Sequence, residues 1–125
     1  MEKTMEEIYA EARLAGITAG NNAKPIPMAV MACNPITNEP IAVVDVVSEG
    51  VCGFAWISMK ANTPENRKFI SWGKKNNVLS KCSEGFWIWV HEYNQSMTRK
   101  EAYAYAFAKV LQANGIKCYA SSRMD

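Results

Sequence analysis

The aromatic residues of the segment 86–91 are the first candidates for chemistry. Phe86 and Ile88 fall on one face of an extended chain, and Trp87 and Trp89 fall on the other. Aromatic rings can stack on a nucleobase and contribute about 1–3 kcal/mol each. Tryptophans on strands more often belong to a core or an interface, so both interpretations stay open at this point.

Polar residues near this segment could complete a binding site for a nucleotide. Arg99 and Arg123 can bind phosphate oxygens with two hydrogen bonds each, and Arg99 falls in the first turn of a predicted helix, where free N–H groups also favour an anion. Asn94 and Asp125 can hydrogen-bond ribose hydroxyls. Alternatively, Arg99 is simply solvated, and Arg123 and Asp125 belong to a frayed chain end rather than to a site. The predicted ligand site consists of Phe86, Trp87, Trp89, Asn94, Arg99, Arg123 and Asp125.

Sequence motifs for catalysis are absent. The chain has no GxxxxGK[ST] loop, no GxGxxG turn and no GxSxG elbow, and a single histidine, His91, excludes HExxH. The four cysteines contain no CxxC pair, so a zinc site of the usual spacing is not expected. We therefore predict a protein that is not an enzyme and that holds no metal and no cofactor.

Charge and composition further limit the classes of protein to which the chain can belong. A net charge of +2 over 125 residues is too small to predict direct DNA or RNA binding. Residues 1–63 hold four basic and seven acidic side chains (−3), whereas residues 64–125 hold ten and five (+5), so an anionic ligand is expected in the second half. No apolar run approaches the roughly 20 residues of a membrane span, and the first seven residues are polar, unlike a signal peptide. We expect a cytoplasmic protein without membrane contact.

The elements that must position these residues can be read from periodicity and capping signals. Helices are predicted over 5–15, from Pro64 to the Asn76-Asn77 pair, and over 99–114, the last with Thr98 as its N-cap and Gly115 as its stop. Strands are predicted over 28–33, 41–47, about 52–60, 86–91 and 116–120. The order α-β-β-β-α-β-α-β predicts one α+β domain over 1–125, with a mainly antiparallel sheet and three helices.

Two elements are apolar on more sides than a small domain usually covers. The strand 86–91 has two apolar faces, and the helix 99–114 is apolar almost all the way round. Both patterns predict a second subunit, a helix or a ligand against the remaining surface. We expect a homo-oligomer, either a dimer or a higher assembly.

Five segments together resemble small proteins encoded by bacteriophages and prophages: GFAWI (53–57), FISWGKK (69–75), GFWIWV (85–90), QSMTRKEAYA (95–104) and GIKCYASSRMD (115–125). Among these proteins, the segments are most similar to the Thoeris anti-defence sponge family, over roughly residues 51–125. The resemblance implies a protein that sequesters cyclic ADP-ribose isomers, and in some cases cyclic oligonucleotides, without turning them over. It also implies an oligomer that encloses the nucleotide near a subunit interface, in the host cytoplasm.

Three functional hypotheses follow. The leading one is a sponge that binds a cyclic ADP-ribose-like nucleotide and so blocks antiviral immune signalling. The second is a phage inhibitor of the anti-CRISPR type, which would dock on a host defence protein through the same aromatic residues. The third is a small nucleotide-processing enzyme that uses His91, Cys82 or Glu92.

Overall fold

The computed structural model describes residues 3–24, 28–33, 40–47, 52–93 and 96–124, with the backbone alone for 28–33 and 40–47. The described elements are α1 (Met5–Asn22), β1 (Met28–Cys33), β2 (Pro40–Val47), β3 (Gly53–Met59), α2 (Pro64–Lys75), β4 (Ser80–Cys82), β5 (Gly85–Trp89), α3 (Met97–Ala113) and β6 (Tyr119–Met124). The prediction of a single α+β domain with three helices and an antiparallel sheet is confirmed. The short strand β4 was not predicted.

Four strands form the main sheet in the order β4-β5-β3-β6, and all neighbours are antiparallel. Strands β1 and β2 pair with each other as a separate hairpin. The alternation along β3 is strict: every second residue, from Gly53 to Met59, is buried, and the residues between them are partly exposed. We call the buried side the inner face and the other side the outer face.

The hydrophobic core lies between the inner face and the helices. Ala55, Ile57 and Met59 from β3 and Ile88 from β5 pack there with Phe69 from α2. Helix α3 contributes further large side chains, including Tyr103, Phe107 and Leu111. The inner face of β3 is therefore aliphatic, whereas the outer face carries the aromatic residues Phe54 and Trp56.

Helix α1 is longer than the predicted 5–15, because it continues through Gly16, a residue type that often ends a helix. The helix continues to Asn22, and both Gly16 and Gly20 are buried within it. A Cβ on Gly16 would lie 2.9 Å from the Tyr103 ring, and one on Gly20 would overlap the Tyr93 ring. The glycines are thus sites of close helix packing rather than stop signals.

Three further boundaries differ from the predictions. Helix α3 begins at Met97, because the Ser96 side chain, rather than that of Thr98, accepts from the backbone N–H of Arg99 and caps the helix. Strand β5 ends at Trp89 instead of residue 91. Strand β6 spans Tyr119–Met124 instead of 116–120, which places Arg123 inside the sheet opposite Phe54. Helix α2, with Thr63 as its N-cap and Asn76 as its C-cap, agrees with its prediction.

Helix α3 is covered mostly by its own chain. It packs against α1 on one side and against β3 and β6 on the other, while Tyr105 on its outer side is 56% exposed. The apolar pattern of this helix is thereby explained within one chain, and it does not by itself require a partner. None of the helices that the structure describes is long and apolar enough to cross a membrane.

Candidate functional site: an aromatic sheet face with a cleft at one end

Three tryptophans meet on the outer face of the sheet. Trp56 lies directly opposite Trp89 in the β3–β5 register, and Trp87 is two residues away on the same side of β5. The ring centroids of Trp56 and Trp89 are 5.0 Å apart, those of Trp87 and Trp89 are 5.0 Å apart, and those of Trp56 and Trp87 are 6.2 Å apart. All three side chains are partly exposed. We call these three residues the tryptophan cluster.

One end of the outer face is lined by cations. Phe54 touches the tryptophan cluster through Trp89, with ring centroids 6.0 Å apart. The Nζ atom of Lys100, a residue only 5% exposed, lies 5.5 Å from the centre of the Phe54 ring, and the Cζ atom of Arg123 lies 5.6 Å from it. Cations at such distances are attracted by the face of the ring, so both side chains are held against the sheet.

The other end of the outer face opens into a cleft of about 390 Å³, which we call the first cleft. The rings of Trp56 and Trp87 line it together with Tyr119 from β6, and the β4–β5 turn closes one side. Its charged lining residues are Lys60, Lys117 and Glu84. An aromatic wall beside two ammonium groups can accept a flat ring and an anionic group at the same time.

A buried asparagine holds the two lysine-bearing segments together. Asn66, on α2, is fully buried, and its Nδ2 donates to the carbonyl oxygens of both Lys60 and Lys117 at 2.8 Å. Its Oδ1 accepts from the backbone N–H of Lys117, also at 2.8 Å. A buried amide with three partners fixes its neighbours firmly. Asn66 therefore positions the backbone from which both lysines reach the first cleft.

The structure brings some of the predicted site residues together and separates others. Trp87 and Trp89 lie side by side in the tryptophan cluster. Phe86 borders the first cleft, but it lies opposite Met59, on the inner side of the sheet, where Lys74 Nζ is 4.7 Å from the centre of its ring. Arg123 lies opposite Phe54, four residues from Ser58 on β3, and so about 13 Å along the strand from the first cleft.

The remaining predicted residues lie elsewhere. Arg99 Nη1 donates to the carbonyl oxygens of Gly20, at 3.0 Å, and Asn21, at 3.3 Å, and so binds the C-terminal end of α1. That position suits a cation because the carbonyl groups there carry partial negative charge. Asn94 and Asp125 lie outside the described residues.

Several residues of the first cleft were not among the predicted site residues. Trp56 was recognisable from the alternation along β3 as a neighbour of the other aromatic residues. Lys60 follows the end of β3, whereas Lys117 and Tyr119 are two residues apart around the start of β6, and no local pattern connects Lys60 with the other two. Asn66 gives no signal at all, because an asparagine in the first turn of a charged helix is expected to be exposed.

A second cleft, of about 760 Å³, lies on the opposite side of Trp89. It is lined by residues of α1, by the end of α2 and by the end of β5, and both His91 and Glu92 line it. Cys82 lines the first cleft instead, so the three residues of the enzymatic hypothesis do not share one cleft. Among the residues that the structure describes, no group of three potential metal ligands is found.

Burial raises the pKa of Tyr103 and of Cys118. Tyr103, which lines the second cleft and is 3% exposed, has a pKa raised chiefly by burial and then by the negative charge of Glu92, while Arg13 acts in the opposite direction. Burial also raises the pKa of the Cys118 thiol to about 12. Tyr103 is therefore an uncharged phenol at neutral pH, able to donate and accept hydrogen bonds.

Comparisons with protein families, with curated proteins and with solved structures found no match to this chain.

Proposed function

We propose that the protein is a non-catalytic sponge that binds a cyclic ADP-ribose-type nucleotide in the first cleft. In this role a phage-encoded protein would remove a signalling nucleotide in the host cytoplasm and so block antiviral signalling. The observation that carries the proposal is the first cleft itself, in which two tryptophan rings stand beside two lysines.

The aromatic wall supplies the contact with a base. Trp56 and Trp87 line the first cleft, and Trp89 supports both from the side at 5.0 Å. Rings that are already packed against each other lose little side-chain entropy when a base stacks on them. The cleft of about 390 Å³ also falls within the range of small-molecule sites, roughly 300–1,000 Å³.

The lysines supply the contact with the pyrophosphate. Lys60 and Lys117 project from backbone segments that Asn66 joins, so a doubly charged group meets two ammonium groups whose attachment points are fixed. Glu84 is the one carboxylate in the described lining and leaves an excess of positive charge. This assignment replaces Arg99 as a phosphate ligand of the first cleft, since Arg99 binds the end of α1.

Calorimetric titration with cyclic ADP-ribose isomers, cyclic dinucleotides and NAD tests the proposal. A sponge has to hold its ligand below signalling concentration, so we expect a Kd in the nanomolar range for one of them, about −12 kcal/mol. Trp87→Ala should weaken that binding by about 1–3 kcal/mol. Tyr105→Ala removes an aromatic ring that is 56% exposed on α3, away from the cleft, and should leave the affinity unchanged.

Two further observations test the remaining parts of the proposal. The nucleotide should be recovered chemically unchanged after the complex is denatured, because a hydrolase would release products. Light scattering should give a mass of a dimer or a higher assembly, since the outer face still presents three partly exposed tryptophans. Absence of binding to every nucleotide tested would refute the sponge.

The partly exposed aromatic face also suits the second hypothesis, an inhibitor that docks on a host protein. Aromatic residues and arginine are typical of the centres of protein interfaces, and Arg123 borders Phe54 here. Stoichiometric capture of one host defence protein, lost in Trp89→Ala and unaffected by nucleotide, would favour this function over the sponge.

A further inference from the structure

The second cleft contains a carboxylate oxygen that has no hydrogen-bond partner. Oε2 of Glu92 is buried, and no described group of the protein donates to it. Glu92 follows β5 by three residues, and its side chain lines the cleft between α1 and the end of α2. A buried acceptor without a donor destabilises the folded protein, so a ligand that donates to it would recover that free energy.

The surroundings of Glu92 select the charge of such a ligand. The acidic and basic side chains that line the second cleft are two carboxylates, Glu6 and Glu92, one guanidinium, Arg13, and one imidazole, His91. Arg13 is exposed on α1, and the Tyr103 hydroxyl interacts with both Arg13 and the Glu92 carboxylate. The described lining therefore has an excess of negative charge, and its one cation leaves Oε2 without a partner.

Aromatic and aliphatic side chains form part of the remaining wall, beside the polar residues Asn76, Asn77, Ser80 and His91. Tyr9 and Trp72 stand 5.3 Å apart between ring centroids, and Trp89 faces the cleft from β5. Leu14, which is 66% exposed, adds an aliphatic rim. Rings attract an organic cation through their faces, and apolar walls take up an apolar body.

We propose that the second cleft is a binding site for a primary amine with an apolar body, whose ammonium group donates to Glu92 Oε2. The apolar body lies along Trp72 and Leu14, and the ammonium enters between Tyr9 and Glu92. The site is separate from the first cleft and does not depend on nucleotide binding, although Trp89, which lines the second cleft, contacts Trp56 and Trp87 of the first.

A pair of probes of equal shape tests the charge requirement. Calorimetric titration of the full chain with 2-phenylethylamine should show saturable binding. The alcohol 2-phenylethanol lacks the positive charge and should bind at least about tenfold more weakly. Equal binding of the two compounds, or no binding of the amine, would overturn the proposal.

Matched charge variants test the position of the carboxylate. Glu92→Gln should weaken amine binding by about tenfold or more, because it removes the charge at the buried acceptor. Glu6→Gln removes the same charge from the exposed part of the same cleft and should weaken binding by less than about fivefold. Equal losses in the two variants would mean a diffuse charge effect and would contradict the assignment of Glu92.

Two exposed positions keep the test decisive if Glu92→Gln does not fold. Arg13→Gln removes the cation already in the cleft and should increase amine affinity, the opposite direction to Glu92→Gln. Leu14→Arg adds a cation at the rim, at a side chain that is 66% exposed, and should decrease it. An unchanged affinity in both variants would place the amine elsewhere and refute the proposal.

Discussion

The two faces of strand β3 use their apolar side chains in opposite ways. On the inner face, Ala55, Ile57 and Met59 are buried against the helices. On the outer face, Phe54 and Trp56 carry more apolar surface, yet both remain partly exposed. The larger side chains thus stand where the described chain covers less of them.

The inner face of β3 therefore contributes to stability, whereas the outer face is where we expect recognition. Burial stabilises the fold in proportion to the area removed from water, and the inner face completes that burial within the chain. The outer face keeps part of its apolar area in contact with solvent, where a ligand or a partner can cover it. The residues that hold the domain together and those that we expect to bind are therefore neighbours in sequence.

The largest predicted effect compares two adjacent residues. Ile57→Ala should lower the free energy of unfolding by about 2–5 kcal/mol, because Ile57 is fully buried and the substitution leaves a cavity. Trp56→Ala removes a larger side chain but should cost less, because the indole is partly exposed and water can occupy the space. Urea denaturation of both variants measures the two values.

The comparison of the two faces fails if Trp56→Ala costs more than Ile57→Ala. Such a result would mean that the tryptophan cluster is a second core rather than a recognition surface. Circular dichroism of the folded variants is the necessary control, since both substitutions also change a strand residue.

The second prediction concerns the residue that connects the core to the first cleft. Asn66→Ala should lower the free energy of unfolding by about 2–3 kcal/mol, because it leaves the carbonyl groups of Lys60 and Lys117 without their buried donor. It should also weaken nucleotide binding, since the lysine-bearing segments are no longer joined. Chemical denaturation and calorimetric titration measure the two effects.

Asn76 provides the matched control on the same helix. Its Nδ2 donates to the Trp72 carbonyl at 2.8 Å, but the residue is exposed, so water can replace that hydrogen bond. Asn76→Ala should change the free energy of unfolding and the nucleotide affinity much less than Asn66→Ala. Equal effects would show that burial of Asn66 is not what makes it important.

The smallest predicted effect is the pH dependence of a buried thiol. Folding raises the pKa of Cys118 from 9.0 to about 12, so its contribution to stability is complete below pH 9 and decreases as the pH rises toward 12. At pH 10 the loss amounts to at most about 1.4 kcal/mol. The stability difference between the wild type and Cys118→Ala should therefore shrink between pH 8 and pH 10.

A pH-independent difference between Cys118→Ala and the wild type would show that the Cys118 thiol titrates no differently in the folded and unfolded chains.

The sequence predicts the faces of the elements better than their ends. Alternation alone assigns Ile57 and Trp56 to opposite faces, because strand geometry depends only on neighbouring residues. The predicted end of α1 was wrong because Gly16 and Gly20 make room for the rings of Tyr103 and Tyr93, which are far away in sequence. A prediction that considers only neighbouring residues cannot account for a tyrosine ring that lies more than 70 residues away along the chain.

The candidate site was predictable in its aromatic part only. Trp87 and Trp89 stand out in the sequence, and the sheet places them together. The lysines of the first cleft depend on Asn66, whose hydrogen bonds to Lys117 span 51 residues. The position of Arg99 at the end of α1 likewise depends on the full length of that helix, which the sequence did not predict.

The tryptophan cluster has an optical consequence. Indole rings with centroids 5.0–6.2 Å apart exchange excitation and couple their electronic transitions, so their near-ultraviolet circular dichroism and fluorescence are shared among the three. A molecule that stacks on one ring changes the signal of all of them. The protein thus carries an intrinsic spectroscopic reporter at the surface where we expect recognition to occur, and no external dye is needed to watch it.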